Sequence, residues 1–87
     1  MVKKMSKLLN KYTELKNNNS KNVYLIKVGI FYNSLNEDAI FLNEEIGLKL
    51  TRLGNEIIKC GFPLNALNKY KHILNEKNIK YTIIDNF

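Results

Sequence analysis

The residues able to do chemistry are few in this chain of 87 residues: one histidine, one cysteine, eight carboxylates and four glycines. His72 has no Ser, Cys or clustered carboxylate near it in sequence that would make a nucleophilic or acid-base pair, and reads as a surface or boundary residue. Cys60 and His72 cannot close a tetrahedral metal site between them, so no metal is expected. The glycines form neither a dinucleotide fingerprint nor a phosphate loop ending in Gly-Lys-Ser/Thr, and no cofactor or nucleotide hydrolysis is expected. Glu37-Asp38 and Glu44-Glu45 read as the solvated side of a helix. Catalysis finds no support, and what remains is binding.

Two features bear on what would be bound. Lys3, Lys4, Lys7, Lys11, Lys16, Lys21 and Lys27 stand in the first 27 residues against Glu14 alone, whereas the remaining chain is neutral. A basic leading segment on a neutral body suits phosphates or another anionic surface, and equally a solvated helix face that keeps the protein soluble. The second feature is Phe31-Tyr32, two adjacent rings where an apolar run gives way to turn residues. In extended geometry neighbours point to opposite sides, so one ring enters the core and the other meets solvent or a partner.

Stepping along the chain, Met5, Leu8, Leu9, Tyr12 and Leu15 recur at helical spacing and predict an amphipathic helix over about residues 4–16. From Val23 to Val28 both alternating sets are mostly apolar, as in a strand covered on both faces. Ser34-Leu-Asn-Glu37 has the capping-box pattern, which predicts a helix from about Leu35 to Ile46 ended by Gly47. "LKLTRL" and "EIIKC" flank Gly54-Asn55 and predict a hairpin. After Pro63, Asn65 is suited to cap a second core helix, Asn78 to end it, and Ile79 to Ile84 to form the closing strand.

The expected fold is therefore α/β: one domain over residues 1–87, with a mixed sheet of about four strands flanked by helices in the order α-β-α-β-β-α-β, its core over about residues 22–85. A chain of this length buries roughly 60 to 65% of its unfolded surface. The single cysteine excludes an internal disulfide, and no apolar run approaches the roughly 20 residues of a membrane span. No apolar signal-peptide core follows the basic start, so a reduced, cytoplasmic protein is expected.

The order of these pieces resembles the N-terminal mismatch-recognition domain of the MutS family of DNA mismatch repair proteins. The family's leading Tyr-x-x-(Leu/Ile)-Lys is matched by "KYTELK", and its Gly-Asp-Phe-Tyr-Glu strand end, followed by two acids and Ala, by "VGIFYNSLNEDA". "LKLTRLG" stands for Leu-Thr-Lys-Arg, "CGFPLNALNKY" for Gly-(Val/Ile)-Pro-Tyr-His-Ala, and "YTIID" for the closing Val-Ala-Ile-Cys-Glu. The likeness spans about residues 5–85, with a shortened loop at Gly54-Asn55.

The resemblance implies a wedge role for Phe31, stacking on a mispaired or unpaired base from the minor groove, with Tyr32 turned inward. It implies a polar contact from Asn33, where the family has Glu. Ile30 replaces an Asp and Asn65 a His. The expected partner is double-stranded DNA with a mismatch or distortion, with Lys3, Lys4, Lys7, Lys11, Lys27 and Arg52 facing phosphates, and a larger enzyme or nucleoprotein complex supplying catalysis. The alternative is a fold retained for protein-protein interaction without mismatch recognition, its basic helix docking on an acidic partner.

Overall fold

The computed structural model describes residues 3–55 and 57–85, with side chains from Lys7 onward. Helix α1 (Lys3–Asn18) leads into strand β1 (Val23–Val28), strand β2 (Phe31–Leu35) and helix α2 (Asn36–Ile46). Strands β3 (Thr51–Leu53) and β4 (Ile57–Pro63) follow, then a single tight turn at Leu64–Ala66, helix α3 (Leu67–Glu76) and strand β5 (Tyr81–Ile84). The sheet runs β3-β4-β2-β1-β5, with β1 and β5 parallel and the other pairs antiparallel. The α/β class, mixed sheet and flanking helices are those expected, with five strands where about four were foreseen.

The added strand is β2, and it corrects the reading of Ser34 as a helix cap. Gly29, at φ 63, takes the first position of a two-residue turn, which folds Phe31–Leu35 back onto β1 with Val28 opposite Phe31. Ser34 thus lies inside a strand, fully buried, and donates its hydroxyl to the Tyr24 carbonyl at 2.8 Å. Leu35 stands at the start of α2 with no side-chain cap. Asn65 is likewise no cap, because it sits within the tight turn and Ala66 precedes α3. The expectations at the C-terminal ends hold: Gly47 closes α2 at φ 77 and Asn78 turns the chain at φ 59. Strand β3 is shorter than expected, and the Leu48 carbonyl accepts from Asn43 instead of joining a ladder.

Apolar clusters lie on both faces of the sheet. Val23, Leu25, Tyr32, Cys60 and Phe62 pack with Ala39 and Leu42 of α2 and Leu74 of α3, whereas Ile26, Leu35 and Ile57 pack under Leu8 and Tyr12 of α1. The helices therefore form layers above and below one sheet, and β1 is covered on both faces over most of its length, as its sequence required. Burial pushes the Cys60 thiol up to about 11, which suits an inert core residue and not a nucleophile.

Asp38 departs from the expected solvated face: it is 3% exposed. Its carboxylate accepts from the Tyr24 amide at 3.1 Å and from the Lys16 ammonium at 2.8 Å. Lys16 also donates to the carbonyls of Ser20 and Asn22, each at 2.8 Å, so this lysine of the basic segment ties α1 to β1 and α2. Burial is the larger influence on Asp38 and pushes its carboxyl upward, while the bonds from Lys16 and Tyr24 pull it back. Burial first, and then the Asp38 charge, also hold the Tyr12 phenol well above its ordinary value.

Candidate nucleic-acid interface

The hairpin between β1 and β2 carries the candidate wedge. Alternation along β2 sends Tyr32 into the α2–α3 face, where it is 7% exposed and donates its hydroxyl to Asp85 at 2.7 Å. That bond, with burial second, raises the Tyr32 phenol above its usual range. Phe31 points the other way and is 44% exposed, on the α1 side of the sheet. The Leu64 amide donates to the Ile30 carbonyl at 2.9 Å, tying the tip of the hairpin to the end of β4. With Ile30 71% exposed and Val28 beside Phe31, the tip is an apolar prominence in a protein of net charge +6.

Behind Phe31 a groove of about 260 Å³ is lined by Leu8, Val28, Phe31, Asn33, Leu53 and Lys59. Among the described residues no carboxylate lines it. Asn33, only 7% exposed, is the groove's amide, and its side chain makes no hydrogen bond among the described residues. Its position depends on Gly61, its partner across the β2–β4 ladder: a Cβ there would come within 2.8 Å of the Asn33 Oδ1 and 2.3 Å of the Tyr32 carbonyl oxygen. A glycine is thus required by close approach.

The structure brings Phe31 and Asn33 to one groove. Lys7 and Lys11 lie on α1, whose Leu8 forms part of the same lining. Lys27 and Arg52 are exposed but leave the sheet on its other face, since Lys27 pairs with the inward Tyr32 and Arg52 with Ile58, which packs against the α2–α3 core. The side chains of Lys3 and Lys4 lie outside the described residues. Lys59, Leu53, Val28 and Leu8 were not singled out by sequence. The signal for Lys59 was its register opposite Leu35, which becomes visible only once Phe31–Leu35 is recognised as a strand.

A second hollow, of about 300 Å³, is lined by Lys16, Ser20, Lys21, Val23, Glu37, Asp38 and Phe41. Its central cation already holds three internal acceptors, so it offers a ligand little. Among the described residues no group of three or more His, Cys, Asp or Glu side chains is placed to hold a metal, and no helix is long and apolar enough to cross a membrane.

A family model described as MutS domain I matches residues 6–87. DNA mismatch repair proteins MutS from Rickettsia rickettsii, Rickettsia felis and Rickettsia prowazekii are each 34% identical to this chain over 84 residues, which is 92% of the chain. The same stretch is about a tenth of each of those proteins.

Proposed function

We propose, from the premise that this chain belongs to the MutS family through its domain I, that it is a non-enzymatic DNA-binding module that inserts Phe31 at mispaired or distorted steps of a duplex. The observation that carries this reading is the pairing of a half-exposed Phe31 with an inward Tyr32 on a hairpin fixed at both its base and its tip. Inserting an apolar ring costs a few kcal/mol of unstacking at a sound step and less where pairing is already weakened. Base-aromatic stacking is worth about 1–3 kcal/mol and is tolerant of sequence. A sensor of distortion needs that combination.

Titration of labelled matched, G·T-mismatched and single-unpaired-T duplexes by fluorescence anisotropy tests it. Tighter binding to the two defective duplexes is expected, reduced in Phe31→Ala by about 1–3 kcal/mol with only a modest loss of thermal stability, because much of the ring stands outside the core. Equal affinity for all three duplexes would sink the reading. The affinity is expected to fall steeply with salt, since contacts to phosphates supply much of it.

Asn33 is neutral and offers both donors and an acceptor, where a carboxylate only accepts and is repelled by phosphates. The wild type is therefore expected to discriminate less between defective and matched duplexes than Asn33→Glu, measured as the ratio of the two Kd values. An unchanged ratio would remove Asn33 from the discriminating contacts.

A specific observation favours the second reading, a protein-interaction module. Ile40 and Phe41 are exposed on α2 beside Glu37, Glu44 and Glu45, away from the groove.

A further inference from the structure

We infer that the outer face of α2 docks a basic amphipathic helix of a partner protein, with its apolar stripe on Ile40 and Phe41 and its cations over Glu37, Glu44 and Glu45. The inference rests on the protein-interaction reading above, whose partner it describes chemically, and is independent of the wedge.

This face is apolar at its middle and acidic at both ends. Glu37, Ile40, Phe41, Glu44 and Glu45 recur at the spacing that gathers residues on one side of a helix, and all five are exposed. Ile40 and Phe41 belong to neither apolar cluster of the core, so the fold itself does not use them. Beside Phe41 the hollow of about 300 Å³ gives the face relief. Its Lys16 is satisfied internally, so what the hollow offers is room for an apolar side chain against Val23 and Phe41. From Glu37 to Glu44 the face runs about 11 Å, or two turns, over which a helix laid alongside presents its residues i, i+3, i+4 and i+7.

Charge selects the occupant. Helix α2 carries four acids and no base, in a chain of 14 bases and eight acids. Asp38 is turned inward onto Lys16, which also lies 3.6 Å from Glu37. Glu44 and Glu45 have no ion pair among the described residues. They stand in the last turn of α2, at the negative end of the helix dipole, where acids are unfavourable and no base offsets them. A cation brought from outside relieves that conflict. Nucleic acid and anionic lipid are repelled by such a face. A second copy fits poorly, because its basic helix α1 already buries Leu8 and Tyr12 in its own core and offers charge without its apolar stripe.

Two fluorescein-labelled peptides of identical lysine and leucine content test the face by anisotropy against the full 87-residue chain. One has leucines at i, i+3, i+4 and i+7, and the other has the same residues scrambled. The patterned peptide is expected to bind at least about tenfold more tightly. Ile40→Ser and Phe41→Ser should each weaken it by about tenfold or more, the scale of an interface anchor, while leaving duplex binding unchanged. Phe31→Ala should leave the peptide affinity as it was. Glu44→Gln with Glu45→Gln should weaken the peptide and flatten its salt dependence while raising the melting temperature, since the conflict with the dipole is gone.

Equal affinity for the two peptides, or indifference to Ile40→Ser and Phe41→Ser, would overturn the inference. So would a concentration-dependent dimer that Ile40→Ser returns to monomer, since the face would then belong to a second copy. Failure of the face is distinguishable from failure of the reading beneath it. A glutamate-rich peptide bound where the patterned one is not would sink the α2 site and keep the protein-interaction reading, with α1 as its surface, whereas binding of neither would sink both.

Discussion

Replacing Lys16 with methionine should lower stability at neutral pH by about 3–5 kcal/mol, the usual cost of leaving one member of a buried ion pair alone. The side chains of Lys16 and Asp38 are 10% and 5% exposed, so solvent screens the pair little. In the variant the Asp38 carboxylate keeps the Tyr24 amide but loses its cation, and the carbonyls of Ser20 and Asn22 lose a donor. Burial already raises this carboxyl, and without the lysine it rises further. A folded-state pKa above the unfolded value favours the folded form below the unfolded pKa, and the advantage is lost as pH rises through the folded one. The variant should therefore regain stability on acidification toward pH ~4, and by more than the wild type, in which Lys16 holds the rise of the Asp38 carboxyl down. Chemical denaturation at neutral and mildly acid pH reads both effects. A companion Lys16→Met with Asp38→Leu should recover much of the loss, since replacing both members of a buried pair is often neutral. A small, pH-independent loss in the single variant would show that water reaches the pair.

Gly61→Ala should cost about 3 kcal/mol or more, beyond ordinary overpacking, because the obstructing atom is backbone. With the Tyr32 carbonyl oxygen 2.3 Å from the new methyl, β2 and β4 must separate or shift along their ladder. The displaced segment is the one that bears Phe31 and Asn33, so stability and DNA affinity should fall together. Phe31→Ala should move affinity with a much smaller loss of stability. Comparing melting temperature with Kd for the two variants distinguishes positioning from contact, and a Gly61→Ala protein of native stability would refute the close approach.

The parts of this fold legible in sequence were those written in periodicity. The α1 stripe, the doubly apolar β1, the α2 stripe with its terminal Gly47 and the Asn78 turn all stand where spacing places them. What misled was "FYNSL", whose Asn and Ser carry turn propensity and imitate a capping box. Tertiary context outweighed that local preference. Ser34 is accommodated because the Tyr24 carbonyl accepts its hydroxyl, and Asn33 because the facing residue is glycine. Neither compensation is local in sequence. Asp38 was misplaced for the same reason: an acid in the first turn of a helix reads as solvated unless the lysine that meets it, 22 residues earlier, is known. At the candidate groove the aromatic pair was readable from strand alternation, whereas Lys59 and Leu53 enter through a register that only the missed strand defines.

The parallel pairing of β1 with β5 bears on how the chain acquires its shape. Val23 meets Tyr81, and Ile26 meets Ile84, across most of the sequence, so β1 stays open on one side until β5 arrives. Emerging from a ribosome, the hairpins and α1 can associate early, but one margin of the sheet is closed only after Ile84 has cleared the exit tunnel. Closure of so long a loop weighs on rate more than on final stability. Until then the exposed margin of β1 is open to a strand from another chain, and hastening or delaying the last few residues should change the yield of native protein while leaving its final stability untouched.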